Sequence, residues 1–373
     1  MTGNAISTTI SNDSLDALRA TVGVPRERTY QEWEFDDARV SRSQVRHWAV
    51  VLGDMRPIFV DAEYAATGPW GALIAPPSVL ACFEQIDPEI DGLPGCQAVL
   101  ESASLEWFQP IRVGDFLLPR STIESLEDIC SDDGRAVTMS IATSVSTADG
   151  APVGRCTLRW RCVERGTRVQ GVLFGQREEP YMWTKAGIDA LRDEYAAEQP
   201  RGAAILHWED ANEGDLLAHV LKGPTTRPKY LGRMVPNWYW GQLQGWEAHD
   251  AHPELFFANE NDAPEPIAAT DWGHHRAQRW GGVPGALDSN VERIHYVSHL
   301  LLNWAGDHGF ISRMDLEFHR HNMVGDVTRS YGRVAAKRRQ DGRGIITLDI
   351  WQENQLGEQV TTGTAEVALP LRS

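Results

Sequence analysis

Leu105-Glu106-Trp107, five residues, then Val113-Gly114-Asp115 returns as Leu316-Glu317-Phe318, five residues, then Val324-Gly325-Asp326. Both triplets are displaced by 211 residues, so spacing is kept along with residue type. Each block leads into a polar stretch, a Gly-bearing turn and two β-rich runs. A period this long is a whole domain, well beyond the roughly 20–50-residue unit of a solenoid. The chain is therefore a duplication. One copy of a duplicated domain is free to lose its chemistry, so the functional question is which half kept it.

Working outward from the repeat, the two halves share one order of elements. In the first, Ser43 to Gly53 spaces Val45, Trp48, Ala49 and Leu52 on one helical face. Ala75-Pro76-Pro77 then opens a second helix, with Val79, Phe83 and Ile86 at i, i+4 and i+7. Strand-like runs follow at Val99 to Phe108, Val137 to Val145 and Leu158 to Cys162. In the second half, Ile294, Val297, Leu301 and Trp304 form a helical stripe that ends at Gly306. Arg313 to Phe318, Val327 to Ala336, Ile345 to Trp351 and Thr362 to Leu369 are the matching strands. Helix first and then an antiparallel meander describes an α+β fold in which a sheet wraps a long central helix, twice over. The expected organisation is a disordered tail over 1–12, a first domain over 13–165, a connector over 166–205 with one helical stretch from Lys185 to Ala197, and a second domain over 206–373.

Composition narrows the class. The chain has 373 residues, 42% hydrophobic and 23% charged, which is ordinary for a globular protein. Its apolar runs are too short to span a bilayer. A net charge of −17 argues against nucleic acid or an anionic membrane as partner. The five cysteines are odd in number, all in the first half and without zinc spacing, as expected of reduced thiols in the cytoplasm.

Gly53-Asp54-Met55-Arg56-Pro57-Ile58-Phe59-Val60-Asp61, Tyr64-Ala65 and Ile74-Ala75-Pro76-Pro77 resemble the MaoC-like family of hot-dog enoyl-CoA hydratases and dehydratases, in its fatty-acid-synthase-type form. Arg201-Gly202, Trp208-Glu209-Asp210, Gly214-Asp215, Lys222-Gly223-Pro224 and the run Leu302 to Phe310 resemble the join between halves in tandem (double) hot-dog members. The resemblance implies reversible addition of water across the 2,3 double bond of an acyl-CoA, without metal or redox cofactor. In the family, an Asp and a His of the motif Gly-Asp-x-Asn-Pro-x-His hold the water, and donors at a helix start polarise the thioester. Here Asp54 matches the motif Asp, but Arg56 stands for the Asn and Phe59 for the His. Phenylalanine carries no proton, so Asp54 is left to cap a helix or pair with Arg56.

The corresponding stretch of the second half is Thr270-Asp271-Trp272-Gly273-His274-His275. It places Asp271 at the family's His position, with His274 and His275 three and four residues later. A histidine near a carboxylate is poised for proton transfer near neutral pH, so Asp271, His274 and His275 are the candidate catalytic group. Solvent-facing histidines in a polar loop are the alternative. Asn290 and Arg293, at the start of the second helix, are candidate contacts to the thioester, Arg293 having Asp288 as the competing partner. Lys337 and Arg338 of a basic run are candidate contacts to coenzyme A phosphates, with a solvated turn as the alternative, and Arg320, beside the repeated Val-Gly-Asp, is a further pocket candidate. His295 and His299, at i and i+4, lack the Glu of a zincin motif and lie opposite the apolar stripe. The expected activity is that of an acyl-CoA hydro-lyase. The alternatives are a catalytically silent acyl-CoA-binding subunit of a heteromeric hydratase, or another lyase or thioesterase on the same fold. The duplication either replaces a homodimer or forms part of a larger hetero-oligomer.

Overall fold

The structure, a computed structural model, describes residues 6–26, 39–174, 179–226, 246, 249–259, 263–267, 273–288, 290–340 and 342–372. Eleven strands appear among them. The first half supplies β1 (Gln97–Trp107), β2 (Leu117–Ser131), β3 (Gly134–Thr147) and β4 (Pro152–Val163). Short strands follow at β5 (Val220–Lys222), β6 (Phe256–Ala258) and β7 (Pro264–Pro266). The second half supplies β8 (Phe310–Phe318), β9 (Thr328–Gln340), β10 (Arg343–Asn354) and β11 (Gln359–Leu369). β6 and β7 form a hairpin, and the other nine make one antiparallel sheet ordered β2-β3-β4-β1-β8-β11-β10-β9-β5.

The repeat lies at the seam. β1 of the first half pairs with β8 of the second, and Ser104 faces Asp315. These two residues are 211 apart, so they are each other's repeat equivalents and mark where the pseudo-two-fold axis crosses the sheet. Their side chains bond across it, Ser104 Oγ donating to Asp315 Oδ1 at 2.6 Å. The Val-Gly-Asp turns are also equivalent in detail. Asp115 accepts from the Arg112 amide at 2.7 Å, and Asp326 from the Met323 amide at 2.8 Å. Gly114 and Gly325 take φ of 99° and 102°, a region that side-chain-bearing residues avoid. Gly214-Asp215 builds a third turn of this kind, its Asp accepting from the Asn212 amide.

The two central segments differ. The second half has a 16-residue helix, Asn290–Ala305. The first half has only a seven-residue 3₁₀ turn, Pro77–Phe83, and the chain is extended again at Glu84. Val79, Phe83 and Ile86 have helical spacing, but Pro88 disfavours helical geometry at Asp87 and limits how far a helix could run. β2 is the other departure, a 15-residue strand in a stretch that reads as merely polar. It is an outermost strand with exposed residues on both faces over its second half, so alternation is lost.

One apolar core runs through both halves, from Val45, Ile58 and Leu105 to Ile294, Leu316 and Val367. Its helix is buried nearly all round: Val291, Ile294, Val297 and Leu301 on one side, and Glu292, His295, His299 and Asn303 on the other. Buried polar groups require polar partners. The connector supplies them. Its helix, Lys185–Ala196, is capped by Thr184, and the segment beyond it runs along the polar side of the long helix.

Candidate active site

The helix Arg42–Leu52 opens on a capping box between Ser41 and Gln44 and closes on Gly53 at φ 64°. That turn drives the next residues inward. Asp54 and Arg56 are buried, and Arg56 grips Asp54 through two parallel bonds, Nε to Oδ1 at 2.8 Å and Nη2 to Oδ2 at 3.0 Å. Nη2 also donates to Asn303 Oδ1 of the long helix at 3.0 Å. Asn303 Nδ2 donates to Glu198 Oε1 of the connector at 2.8 Å. The same carboxylate lies 2.9 Å from His299 Nε2, and His299 Nδ1 faces Asp54 Oδ2 at 3.8 Å. Lys222 Nζ, at the end of β5, donates to the Gly53 carbonyl at 3.0 Å. The cluster thus gathers a first-half loop, the second-half helix, the connector and β5.

Two carboxylates, one guanidinium and one ammonium balance, leaving the imidazole neutral. Burial alone would raise the Asp54 pKa, but Arg56, His299 and Lys222 together hold it below the ordinary carboxylate value. Glu198 is likewise held low against its burial by His299 and Asn303. His299 is pushed below its ordinary value, chiefly by burial and against the pull of Glu198 and Asp54. A group whose folded pKa is depressed contributes stability above its unfolded pKa and loses it as pH falls through the folded one. The protein is therefore expected to lose stability as pH drops below about 6.5, the unfolded histidine value. Urea denaturation midpoints should show this loss, and His299→Gln should remove the part that belongs to His299.

Beside the cluster runs a mostly apolar crevice of about 490 Å³ including its open mouth. Phe59, Trp70, Trp107 and Pro110 of the first half face Leu302, Phe310 and Ile311 of the second, with Arg56 and Asp307 as the charged lining residues. Asp307 is fixed by Tyr64, whose hydroxyl donates to Oδ2 at 2.5 Å, while Trp70 Nε1 donates to its carbonyl at 3.0 Å. The bond to Asp307 raises the Tyr64 pKa to about 12. Phe59 is buried and carries the Arg56 guanidinium 5.6 Å from its ring centre. A crevice wall thus occupies the position where the family has its proton carrier.

The second-half loop lies elsewhere. Asp271 is outside the described residues. His274 Nδ1 accepts from the Ala286 amide at 3.2 Å, which puts any proton of the neutral ring on Nε2. Gly285 makes that contact available, since a Cβ there would sit 2.6 Å from Nδ1. His275 is exposed and meets the Trp280 ring edge-on at 6.5 Å. Ala277 and Val283 anchor the loop against Val99, Ala136 and Val163 of the first half. Val99 is eight residues along β1 from Trp107 of the crevice, about 26 Å at strand rise. The duplication has two pseudo-sites, one at each end, and His274 and His275 do not reach the crevice end.

The remaining sequence candidates are also dispersed. Asn290 opens the long helix. Arg293 is fully buried: Nε and Nη2 grip Asp288 at 2.9 and 2.8 Å, and Nη1 donates to the Arg320 and Val360 carbonyls. Arg320 Nη1 donates to Glu358 at 2.8 Å. Lys337 lies 4.3 Å over the Trp208 ring and donates to the Ala211 carbonyl. Arg338, on the other face of the strand, donates to Glu366 at 2.8 Å. Alternation on β9 splits the basic run, so Lys337 and Arg338 do not converge on one anion. Of the side chains that do converge, Glu198, Lys222, His299 and Asn303, the sequence singles out only His299, and that as half of an i, i+4 pair with His295 rather than as a site residue. The one signal for them is the polar row at 295, 299 and 303 on an otherwise apolar helix.

Residues 29–155 match the family described as FAS1-like, dehydratase domain region. A UPF0336 protein of Streptomyces avermitilis is 30% identical over 105 residues, 26% of this chain and 69% of the relative. One of Parafrankia is 30% identical over 138 residues, 35% of this chain and 85% of the relative. A solved MaoC-like dehydratase superposes with TM-score 0.64 at 16% identity, covering 95% of this chain and all of that one. A Mycobacterium tuberculosis protein described as having a double hot-dog fold superposes with TM-score 0.54 at 14% identity, covering 89% of this chain and 92% of its own. The fold is a double hot-dog of the α+β class, with the second half's helix as the long one. The chain belongs to the UPF0336 family, its residues 29–155 carry a FAS1-like dehydratase region, and its fold is shared with MaoC-like dehydratases.

Proposed function

We propose that the protein is an acyl-CoA hydro-lyase, adding or removing water across the 2,3 double bond of an acyl thioester whose acyl part occupies the crevice between the halves. The observation that carries this reading is Arg56. Its Nε and Nη2 are committed to Asp54 and Asn303, while Nη1 has no hydrogen bond among the described residues and Arg56 lines the crevice. A fixed guanidinium beside an apolar slot is suited to the thioester oxygen as enolate charge develops. The crevice lies by the carboxyl end of the long helix, where the helix dipole is negative and repels an enolate. Arg56 supplies the charge that a helix start such as Asn290 would supply elsewhere. None of the five cysteines is joined in a disulfide, which suits a cytoplasmic setting.

Phe59 in the crevice and His274 tied to its own loop favour a second reading, an acyl-CoA-binding subunit that completes a site on a partner chain. One assay separates the two. Purified protein is given crotonyl-CoA and longer or ring-bearing enoyl-CoA substrates while absorbance of the conjugated thioester is followed. Turnover is the expected result; binding without turnover across the series would establish the silent subunit. If Asp271, His274 and His275 carry the proton, His274→Ala or His275→Ala lowers kcat by about 10²-fold or more. Unchanged rates in both place the chemistry at the crevice end.

A further inference from the structure

We infer that His299 and Asp54 hold the reacting water, so that an acid/base pair has been rebuilt across the two halves in place of the one Phe59 lost. This rests on reading the crevice as an acyl-thioester site. The argument begins at Glu198. An ionised carboxylate only accepts, so the 2.9 Å contact from His299 Nε2 to Glu198 Oε1 requires the proton on Nε2. Nδ1 is then a bare lone pair. It is buried and has no hydrogen-bond partner among the described residues, and no other buried side-chain atom of the cluster is left so. A buried nitrogen left without a donor is costly unless something occupies its lone pair.

What faces it is Asp54 Oδ2, at 3.8 Å. Two acceptors at that separation do not bond each other. A water about 2.8 Å from each donates to both. The arrangement repeats the logic of a carboxylate-oriented histidine: one carboxylate fixes the ring and its tautomer, and the opposite nitrogen is the base. Asp54 itself is fixed by Arg56, which also lines the crevice, as does Leu302, the neighbour of Asn303. The pair and the crevice thus share a wall, and the group that orients Asp54 is the one proposed to hold the thioester oxygen.

The step balances within these groups. The water oxygen bonds to C3 as its proton passes to His299 Nδ1. The 2,3 π pair moves to C2 and onward to the thioester oxygen, where Arg56 receives the charge. The enolate then collapses, C2 takes the proton back from Nδ1, and one H and one OH have been added. Dehydration runs the same steps in reverse. His299 and Asp54 are the catalytic residues in this scheme, and Glu198 is a positioning residue.

His299→Gln tests it with the full-length chain and the enoyl-CoA substrate that wild type turns over best. Expected is a fall in kcat of about 10²-fold or more, with the affinity for the saturated acyl-CoA analogue and the circular-dichroism spectrum unchanged. Glu198→Gln is the milder companion should His299→Gln fold poorly. It should lower kcat by about tenfold and shift the acidic limb of the pH–rate profile, which reports a ring faced by Asp54, Arg56, Glu198 and Lys222. A folded His299→Gln or Glu198→Gln that keeps wild-type rates and profile, while His274→Ala or His275→Ala loses activity, overturns the inference and leaves the hydro-lyase reading standing. A wild-type protein inert on every enoyl-CoA overturns both.

Discussion

Arg293→Met is expected to lower the stability of the fold by about 3–5 kcal/mol while leaving affinity for an acyl thioester unchanged. Arg293 is fully buried and its partner Asp288 is only 7% exposed. Asp288 Oδ1 accepts from Arg293 Nη2 and also from the Asn322 amide at 3.0 Å, so the pair clamps the helix start to the turn before β9. Removing the guanidinium strands a carboxylate in the interior and takes a donor away from the Arg320 and Val360 carbonyls. Replacing both partners, Arg293→Met with Asp288→Leu, should recover part of the loss, because an uncompensated charge costs more than an absent pair. Urea unfolding of the single and double variants, alongside calorimetric titration with an acyl-CoA, checks both halves of the expectation. A single variant of wild-type stability with weakened binding would return Arg293 to the role of a substrate contact.

Arg293 also shows what sequence carries and what it does not. Its position near the apolar side of a helix start, with Asp288 close by in the chain, was readable, and so was the choice between pairing and ligand contact. The duplication was readable because turns are local: Asp115 and Asp326 each bond an amide three residues back, and Gly114 and Gly325 each need a positive φ. Those constraints survive in the letters. β2 was not readable, since an outer strand has little apolar face to advertise. The truncated first helix was misleading, because Val79, Phe83 and Ile86 keep helical spacing after the helix has gone. The candidate site was hardest. Glu198 and His299 are 101 residues apart, Arg56 and Asn303 are 247 apart, and each pair meets only because the first-half loop and the connector close over the second-half helix. A local motif search finds His274 and His275, neighbours in sequence; it cannot find a pair built by topology.

Arg56→Met is the variant in which that topology should be most visible. The guanidinium bonds Asp54 and Asn303, and its charge helps to depress the His299 pKa. Without it, Asp54 faces His299 and Lys222 alone, near a second carboxylate, Glu198. The expected cost is about 3–5 kcal/mol at alkaline pH, where a buried acid has lost its partner. The pH dependence should also weaken. In wild type, the His299 pKa is depressed, so stability falls as pH falls. In the variant, one of the groups that lower that pKa is gone, so it rises from its wild-type position while burial and Lys222 still hold it down. A less depressed folded pKa loses less stability as pH falls through it. The deficit relative to wild type should therefore shrink below about pH 6.5. Denaturation midpoints of both proteins across that range decide the matter. An equal deficit at acid and alkaline pH would mean that His299 does not sense Arg56, and the cluster would then be a set of separate contacts with no shared proton.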